Sequence, residues 1–194
     1  MFLVVGLGNP GPEHEGNRHN VGFMAVDALR QSAGWPDFKP KFSGMWTRGE
    51  LEGQSVAVLK PSTYMNLSGE SVQPAAAFFR VPASGIIVVH DELDLAWRDV
   101  RLKVGGGHAG HNGIRSIIQH VGAPFARVRV GIGRPPPGFR GEGADWVLSN
   151  FDGIERAELP DVLKVAVSAT RAVVTEGLAA AMNRINTKAL RPKG

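Results

Sequence analysis

An apolar run that stops abruptly in glycine and proline opens the chain and constrains its fold most. Residues 2–5 are FLVV, a suitable length for a buried strand, and residues 6–11 are GLGNPG, which must turn sharply. Asn9 lies inside this turn, and His19 and Asn20 stand where a helix is expected to begin. A turn exposes side chains while the flanking strand and helix fix their direction. This stretch therefore predicts a buried strand followed by a functional site.

Strand patterns and helix patterns alternate along the rest of the chain. Strands are predicted at 2–7, 46–51, 55–59, 85–90, 99–104 and 126–132, and helices at 20–33, 67–80, 113–121 and 153–186. The second and third strands read as a hairpin around Gly53, and the last helix is expected to break near Gly177. Asn17 or Asn20 is expected to cap the first helix.

This alternation predicts an α/β fold, in which helices cover both faces of a twisted, mixed sheet in three layers. A single domain is expected over residues 1–194, since no linker divides the chain. Two segments rich in glycine or proline, residues 35–44 and 133–145, are predicted to be loops, and the second is a candidate lid. Residues 184–194 form a basic C-terminal tail.

Composition excludes several classes of protein. The chain has no cysteine, which removes disulfides, thiolate metal sites and cysteine nucleophiles, and its apolar runs are too short to span a bilayer. The composition therefore favours a cytosolic protein without a membrane segment. The formal charge of +4 is modest and by itself indicates only a solvated basic surface.

Three familiar motifs fail on close reading. GLGNPG matches the glycine pattern of dinucleotide-binding turns, but Pro10 and Pro12 delay the helix, and Lys60 stands where an acidic residue should hold a ribose. His14 and His19 are five residues apart, which would not place them on one helical face for zinc. No G-x-S-x-G sequence occurs, so nothing indicates a serine nucleophile.

One set of polar residues follows the predicted strands and could converge on a cleft. In an open α/β sheet, ligands bind beyond the carboxyl ends of the strands. A histidine base paired with a carboxylate, surrounded by amides that hold an acyl group, suits direct attack of water without a covalent intermediate. The set consists of Asn9, His19, Asn66, Asp91 and Asn112.

The chain also resembles bacterial peptidyl-tRNA hydrolases. The sequences that carry the resemblance are GLGNPG, RHNVGF, KPSTYMNLSGESV, HDELDL, GGGHAGHNG and RVRVGIGRP, in the family's order over nearly the whole chain. The resemblance implies hydrolysis of the ester that joins a peptide, or an N-blocked amino acid, to the 3′ end of tRNA. It also implies a monomer that needs no metal and no organic cofactor.

The resemblance further implies a role for each matching residue. His19 would activate water, Asp91 would orient His19, and Asn9 would hold substrate and water. Asn66 and Asn112 would bind the peptide backbone and the acyl-ester region. Tyr64 and Met65 would line the cleft, and His111 would support the site. Lys103 and Arg129 would bind the 5′-phosphate beside the acceptor stem. His14 stands where the family commonly has tyrosine, a difference expected to change how the cleft is walled or how His19 is supported. Asn17 replaces a common threonine, which exchanges one helix-capping side chain for another.

Two other functions remain open from the sequence. A non-catalytic RNA-binding relative would be expected to lose Asn9, His19 or Asp91, yet all are present. A metal-dependent hydrolase could draw on His90, Asp91, Glu92 and His108, but adjacent residues of a strand point to opposite faces.

Overall fold

A seven-stranded sheet forms the centre of the structure, a computed structural model that describes residues 1–187. The strands are β1 (Phe2–Gly6), β2 (Lys39–Lys41), β3 (Gly44–Leu51), β4 (Gln54–Pro61), β5 (Ile86–Glu92), β6 (Val100–Val104) and β7 (Ala126–Gly131). They lie in the order β2-β3-β4-β1-β5-β7-β6. The central strands β4, β1, β5 and β7 are parallel, whereas β2, β3 and β6 pair antiparallel. The carboxyl ends of the parallel strands therefore meet at one edge.

Helices cover both faces of this sheet. They are α1 (Val21–Ala33), α2 (Ser68–Phe78), α3 (Asn112–Val121), α4 (Gly143–Val147), α5 (Gly153–Glu176) and α6 (Leu178–Thr187). On one face α1, α4, α5 and α6 share a core with Val4 and Val58, and on the other α2 and α3 pack on Leu3 and Val5. Within the described part of the chain, no helix has the length and apolarity that crossing a bilayer requires.

The predicted class is confirmed: one α/β domain with three layers and a mixed sheet. Each predicted strand and helix is present with its ends moved by a few residues, and the last helix is interrupted at Gly177 as expected. The basic tail predicted at residues 184–194 lies mostly outside the described residues, which reach Thr187.

The prediction that residues 35–44 form only a loop is wrong, because β2 lies within them. Lys39, Pro40 and Lys41 pair with the start of β3 and are all exposed. Proline is tolerated in a sheet only where its missing N–H is not needed, as on an edge strand. The composition of residues 35–44, which predicts a loop, therefore belongs to the edge strand of the sheet.

The prediction that residues 133–145 form only a loop is also wrong at its end, because α4 begins at Gly143. Glu142 and Asp145 exchange backbone and side-chain hydrogen bonds in a capping box at its start. Trp146 is buried and donates its indole N–H to the Gly133 carbonyl at 2.9 Å. Burial of Trp146 thus holds α4 in place, although the composition of this segment does not favour a helix.

A close approach at Gly22 seats the first turn of α1 on the sheet. A Cβ at Gly22 would lie 2.3 Å from the Val89 carbonyl oxygen and 2.6 Å from backbone atoms of Leu7. Real side chains essentially never come so near to backbone. Only glycine therefore lets α1, with His19 just before it, lie directly against β1 and β5.

We predict that Gly22→Ala lowers the free energy of unfolding by about 1–3 kcal/mol, because the added methyl group must displace the helix from the strands. Urea denaturation measures the change. Gly153→Ala is the matched control, since a Cβ at Gly153 meets nothing within 4 Å. Equal stabilities of the two variants would contradict the close packing at Gly22.

Candidate active site

A cleft of about 490 Å³ opens at the edge of the sheet where β1 and β5 end. Its walls come from the first turn, the segment after β4, the end of β5, the start of α3 and helix α4. The predicted residues that line it are Asn9, His19, Tyr64, Met65, Asn66, Asp91, His111 and Asn112. Residues from five separate parts of the chain are thus brought to one site.

Asp91 lies at the centre of this cleft and contacts two histidines. Its Oδ2 lies 2.8 Å from Nδ1 of His19, and its Oδ1 lies 2.8 Å from Nε2 of His111. Because an ionised carboxylate only accepts hydrogen bonds, each of these ring nitrogens carries a hydrogen. Nε2 of neutral His19 is therefore left with its lone pair at the cleft, the arrangement of a general base with an orienting carboxylate.

A second contact fixes the tautomer of His111. Its Nδ1 accepts the backbone N–H of Ile114 at 3.3 Å, so His111 is the N-cap of α3. One ring nitrogen therefore accepts from the helix while the other donates to Asp91. His111 thereby joins the start of α3 to the carboxylate in a defined orientation.

Burial and charge act in opposite directions on the pKa of His19. Desolvation lowers it, whereas the charge of Asp91 and the hydrogen bond to Asp91 raise it, and the net direction is upward from 6.5. Burial would raise the pKa of Asp91, but the two imidazoles hold it well below its usual range. His19 is thus a stronger base than a free imidazole, and Asp91 stays ionised.

His90 precedes Asp91 in the sequence, but its side chain does not contact the Asp91 carboxylate that binds His19 and His111. His90 is buried and does not line the cleft. Its Nδ1 donates to the Asp91 carbonyl at 2.8 Å, and its ring centroid lies 5.0 Å from that of His111. Burial, and next the neighbouring His111, lower the pKa of His90 to about 3. His90 therefore remains neutral at ordinary pH.

The groups that could hold a metal ion here are His19, Asp91 and His111, whose candidate ligand atoms lie within 4.8 Å of one another. Ligand atoms of a tetrahedral zinc ion, each about 2.0–2.2 Å from the metal, would be roughly 3.4 Å apart. The observed separations of 2.8 Å from Asp91 to each histidine are hydrogen-bond distances instead. The geometry therefore favours a hydrogen-bonded acid–base group over a ligand set.

Asn9 is held in place by two neighbours. Asn20 accepts the Asn9 backbone N–H at 2.8 Å and donates its side-chain N–H to the Asn9 carbonyl at 2.9 Å. The side-chain Oδ1 of Asn9 accepts the Met65 backbone N–H at 2.8 Å, which leaves the Nδ2 donor for the cleft. Asn20 occupies the N-cap position of α1, one of the two predicted, but neither its side chain nor that of Asn17 makes a capping hydrogen bond.

Arg18 fixes the other wall of the cleft, a role that sequence patterns did not indicate. Its guanidinium pairs with Glu155 at 2.6 Å, donates to Ser149 and Asn150, and stacks 3.6 Å from the ring centroid of Trp146. The residues before His19 are thereby joined to α4 and the start of α5. From the sequence, Glu155 is recognisable only as an acidic residue in the first turn of α5, because its partner Arg18 is 137 positions away.

Two predicted residues, Lys103 and Arg129, lie outside the cleft on the β6–β7 pair. Arg101 faces Arg129 and Lys103 faces Arg127 across this pair, so four cationic side chains share one face of it. Arg127 is occupied, because it donates to the carbonyls of Gly106 and Gly107. Arg129 has one carboxylate near it, Glu92 at 3.6 Å.

His14 does not line the cleft. Its Nδ1 lies 2.9 Å from Oδ1 of Asn17, whose amide donates to Asn150 at 2.7 Å. His14 and Asn17 thus belong to the contacts that attach the first turn to the segment before α5.

Comparisons with known proteins agree on one family. A sequence model of the family described as peptidyl-tRNA hydrolase matches residues 3–193. The peptidyl-tRNA hydrolase of Sorangium cellulosum (strain So ce56) is 62% identical over 189 residues, 97% of this chain and 85% of that protein. That of Anaeromyxobacter dehalogenans (strain 2CP-C) is 50% identical over 189 residues, 97% of each chain. The crystal structure of peptidyl-tRNA hydrolase from Acinetobacter baumannii, 41% identical, covers 96% of this chain and 94% of its own, with a TM-score of 0.88.

We predict that the pKa of the His19 imidazole is raised above its usual 6.5 and that Asp91→Asn lowers it, because the charge that favours the imidazolium is lost. Imidazole nitrogen NMR over a pH series measures both values. Asp94→Asn is the matched control, an exposed carboxylate three residues along that does not contact His19. An unchanged pKa of His19 in Asp91→Asn would refute the coupling.

Proposed function

The chain belongs to the peptidyl-tRNA hydrolase family and is an enzyme of that class, and we propose that it cleaves its ester by direct attack of a water that His19 activates. The substrate is peptidyl-tRNA, and cleavage returns tRNA from abortive translation. The observation that carries the mechanism is the pair of 2.8 Å contacts that fixes His19 and His111 on the Asp91 carboxylate.

The proposed reaction needs one base and no covalent intermediate. Nε2 of His19 takes a proton from water as its oxygen bonds to the ester carbonyl carbon, and Asp91 stabilises the imidazolium that forms. The tetrahedral intermediate then collapses, and the bond to the ribose 3′-oxygen breaks. That oxygen receives the proton from His19, which restores the neutral imidazole and releases a carboxylic acid and tRNA.

Amides are proposed to hold the acyl group. The free Nδ2 of Asn9 is suited to donate to the carbonyl oxygen as charge develops there. Asn66 and Asn112 are exposed on the cleft wall and would pair with the peptide backbone, with Tyr64 and Met65 beside them. Neutral amides leave the charged amine of a free aminoacyl group poorly paired, which favours an N-blocked or peptidyl substrate.

The cationic face of β6 and β7 is proposed to bind the tRNA 5′-phosphate through Lys103 and Arg129. Lys103 faces Arg127 across the strands, and like charges placed opposite each other in a sheet are unfavourable, so an anion beside Lys103 would relieve this repulsion. Contacts to phosphate depend on charge and geometry and carry little sequence information. This would let one enzyme act on tRNAs of different sequence.

We predict that His19→Ala lowers kcat on N-acetyl-aminoacyl-tRNA by about 10²–10⁴-fold with tRNA binding retained, because the base is lost. Asp91→Asn should reduce kcat less and move the acid limb of the pH profile to lower pH, since activity requires neutral His19 and its pKa falls. Release of labelled N-acetyl amino acid measures the rates, with the exposed His108→Ala as control.

The same assay separates the alternatives. Undiminished turnover by His19→Ala would refute the base, and tRNA binding without turnover in the unaltered chain would indicate a non-catalytic relative. Rates that persist in EDTA are expected; loss in EDTA and recovery with zinc would instead favour a metal held by His19, Asp91 and His111.

We predict that Lys103→Ala raises KM and lowers the salt dependence of KM, because one phosphate contact is removed. The effect should disappear on substrate that lacks the 5′-phosphate. Arg48→Ala, an exposed arginine on β3, is the matched control. An equal rise in KM with and without the 5′-phosphate would contradict this assignment.

A further inference from the structure

We propose that a second cavity, next to Asn9 on the side away from β6 and β7, is a subsite for the peptide residues that precede the esterified one. This inference rests on the function proposed above and extends it to the kind of peptide that the enzyme prefers. The cavity has a volume of about 420 Å³, within the roughly 300–1,000 Å³ typical of ligand sites.

The second cavity adjoins the reaction cleft, since Asn9 lines both. Beyond Asn9 it is bounded by the turn at Pro10 and Gly11, by α1 and by the ends of β3 and β4. Its apolar surface comes from Phe23, Met24 and Met45. Flexible methionines beside an aromatic ring suit apolar side chains of varied shape.

The charges around the second cavity disfavour nucleic acid. The Nζ of Lys60 pairs with Asp27 at 2.7 Å, which neutralises the cation that lines it. Glu15 adds an exposed carboxylate at the rim. The net negative charge here would repel a phosphate but not an uncharged or basic peptide.

The order of the strands gives the direction of the substrate. From β6 and β7, which carry Lys103 and Arg129, the order runs through β5 with Asp91 and β1 before Asn9 to β4 and β3 beside the second cavity. With the tRNA held at the β6–β7 end and its ester at Asp91, a peptide that extends away from the tRNA runs toward β4. The second cavity lies on that path.

The distance from Asp91 to the second cavity determines how long a peptide must be to reach it. Neighbouring strands are about 4.8 Å apart, so β4 and β3 lie roughly 10 and 14 Å from β5. An extended peptide advances about 3.3–3.6 Å per residue, so the third or fourth residue would reach the second cavity. An N-acetyl-aminoacyl group, about two units long, would end near Asn9.

The test compares two substrates with the same esterified amino acid and the same tRNA: N-acetyl-aminoacyl-tRNA and an N-acetylated tetrapeptidyl-tRNA with apolar residues. The quantity measured is the ratio of kcat/KM for the longer to the shorter substrate. Ser62→Trp, at the exposed rim, should lower this ratio about tenfold, mainly through KM of the longer substrate. Ser84→Trp, exposed before β5 at the opposite edge, should leave the ratio unchanged.

A second pair of variants guards against misfolding of Ser62→Trp. Met45→Ala should lower the ratio about threefold, and Met45→Leu should restore it, because only apolar contact is changed. Equal losses of kcat/KM on both substrates would instead mean that the tRNA end occupies the second cavity, which would overturn the proposal. An unchanged ratio in both Ser62→Trp and Met45→Ala would also overturn it. Failure of the unaltered chain to cleave N-acetyl-aminoacyl-tRNA would refute the proposed function itself, and so the two failures are distinguishable.

Discussion

The buried carboxylate of Asp91 is the constraint on which the site depends. It is 3% exposed at the end of β5, where an unpaired charge would be strongly unfavourable. His19 from the turn before α1 and His111 at the start of α3 each donate one hydrogen bond to it. The same interactions that make burial of the charge tolerable therefore fix the orientation of the His19 imidazole and join both helical layers to the central sheet.

The fold was predictable because its signals are local. Apolar runs such as residues 86–89 end in glycine or polar residues, and helical spacing around Val72 or Ile117 places apolar residues on one face. The errors arose where tertiary contacts override composition: β2 contains Pro40 but needs only one hydrogen-bonded side, and α4 forms because Trp146 is buried. Periodicity alone could not predict either element.

The residues of the candidate site also divide into those that local sequence indicates and those that only tertiary contacts reveal. His19, Asp91 and the asparagines could be inferred as a group because each follows a strand or begins a helix at the same edge of the sheet. The function of Asn20 could not, because its side chain holds the Asn9 backbone across 11 positions. The Arg18–Glu155 pair is likewise visible only in three dimensions. The sequence thus indicated which side chains meet at the cleft better than it indicated the residues that position them.

The outer strand β2 has a consequence for how the protein behaves at high concentration. A free sheet edge offers N–H and C=O groups with which a second chain can pair. Pro40 removes one donor from this edge, and Lys39 and Lys41 would bring their charges against the same pair in another copy. Growth of the sheet by addition of a second copy is therefore disfavoured, so crowding is expected to leave the β2 edges of neighbouring molecules apart.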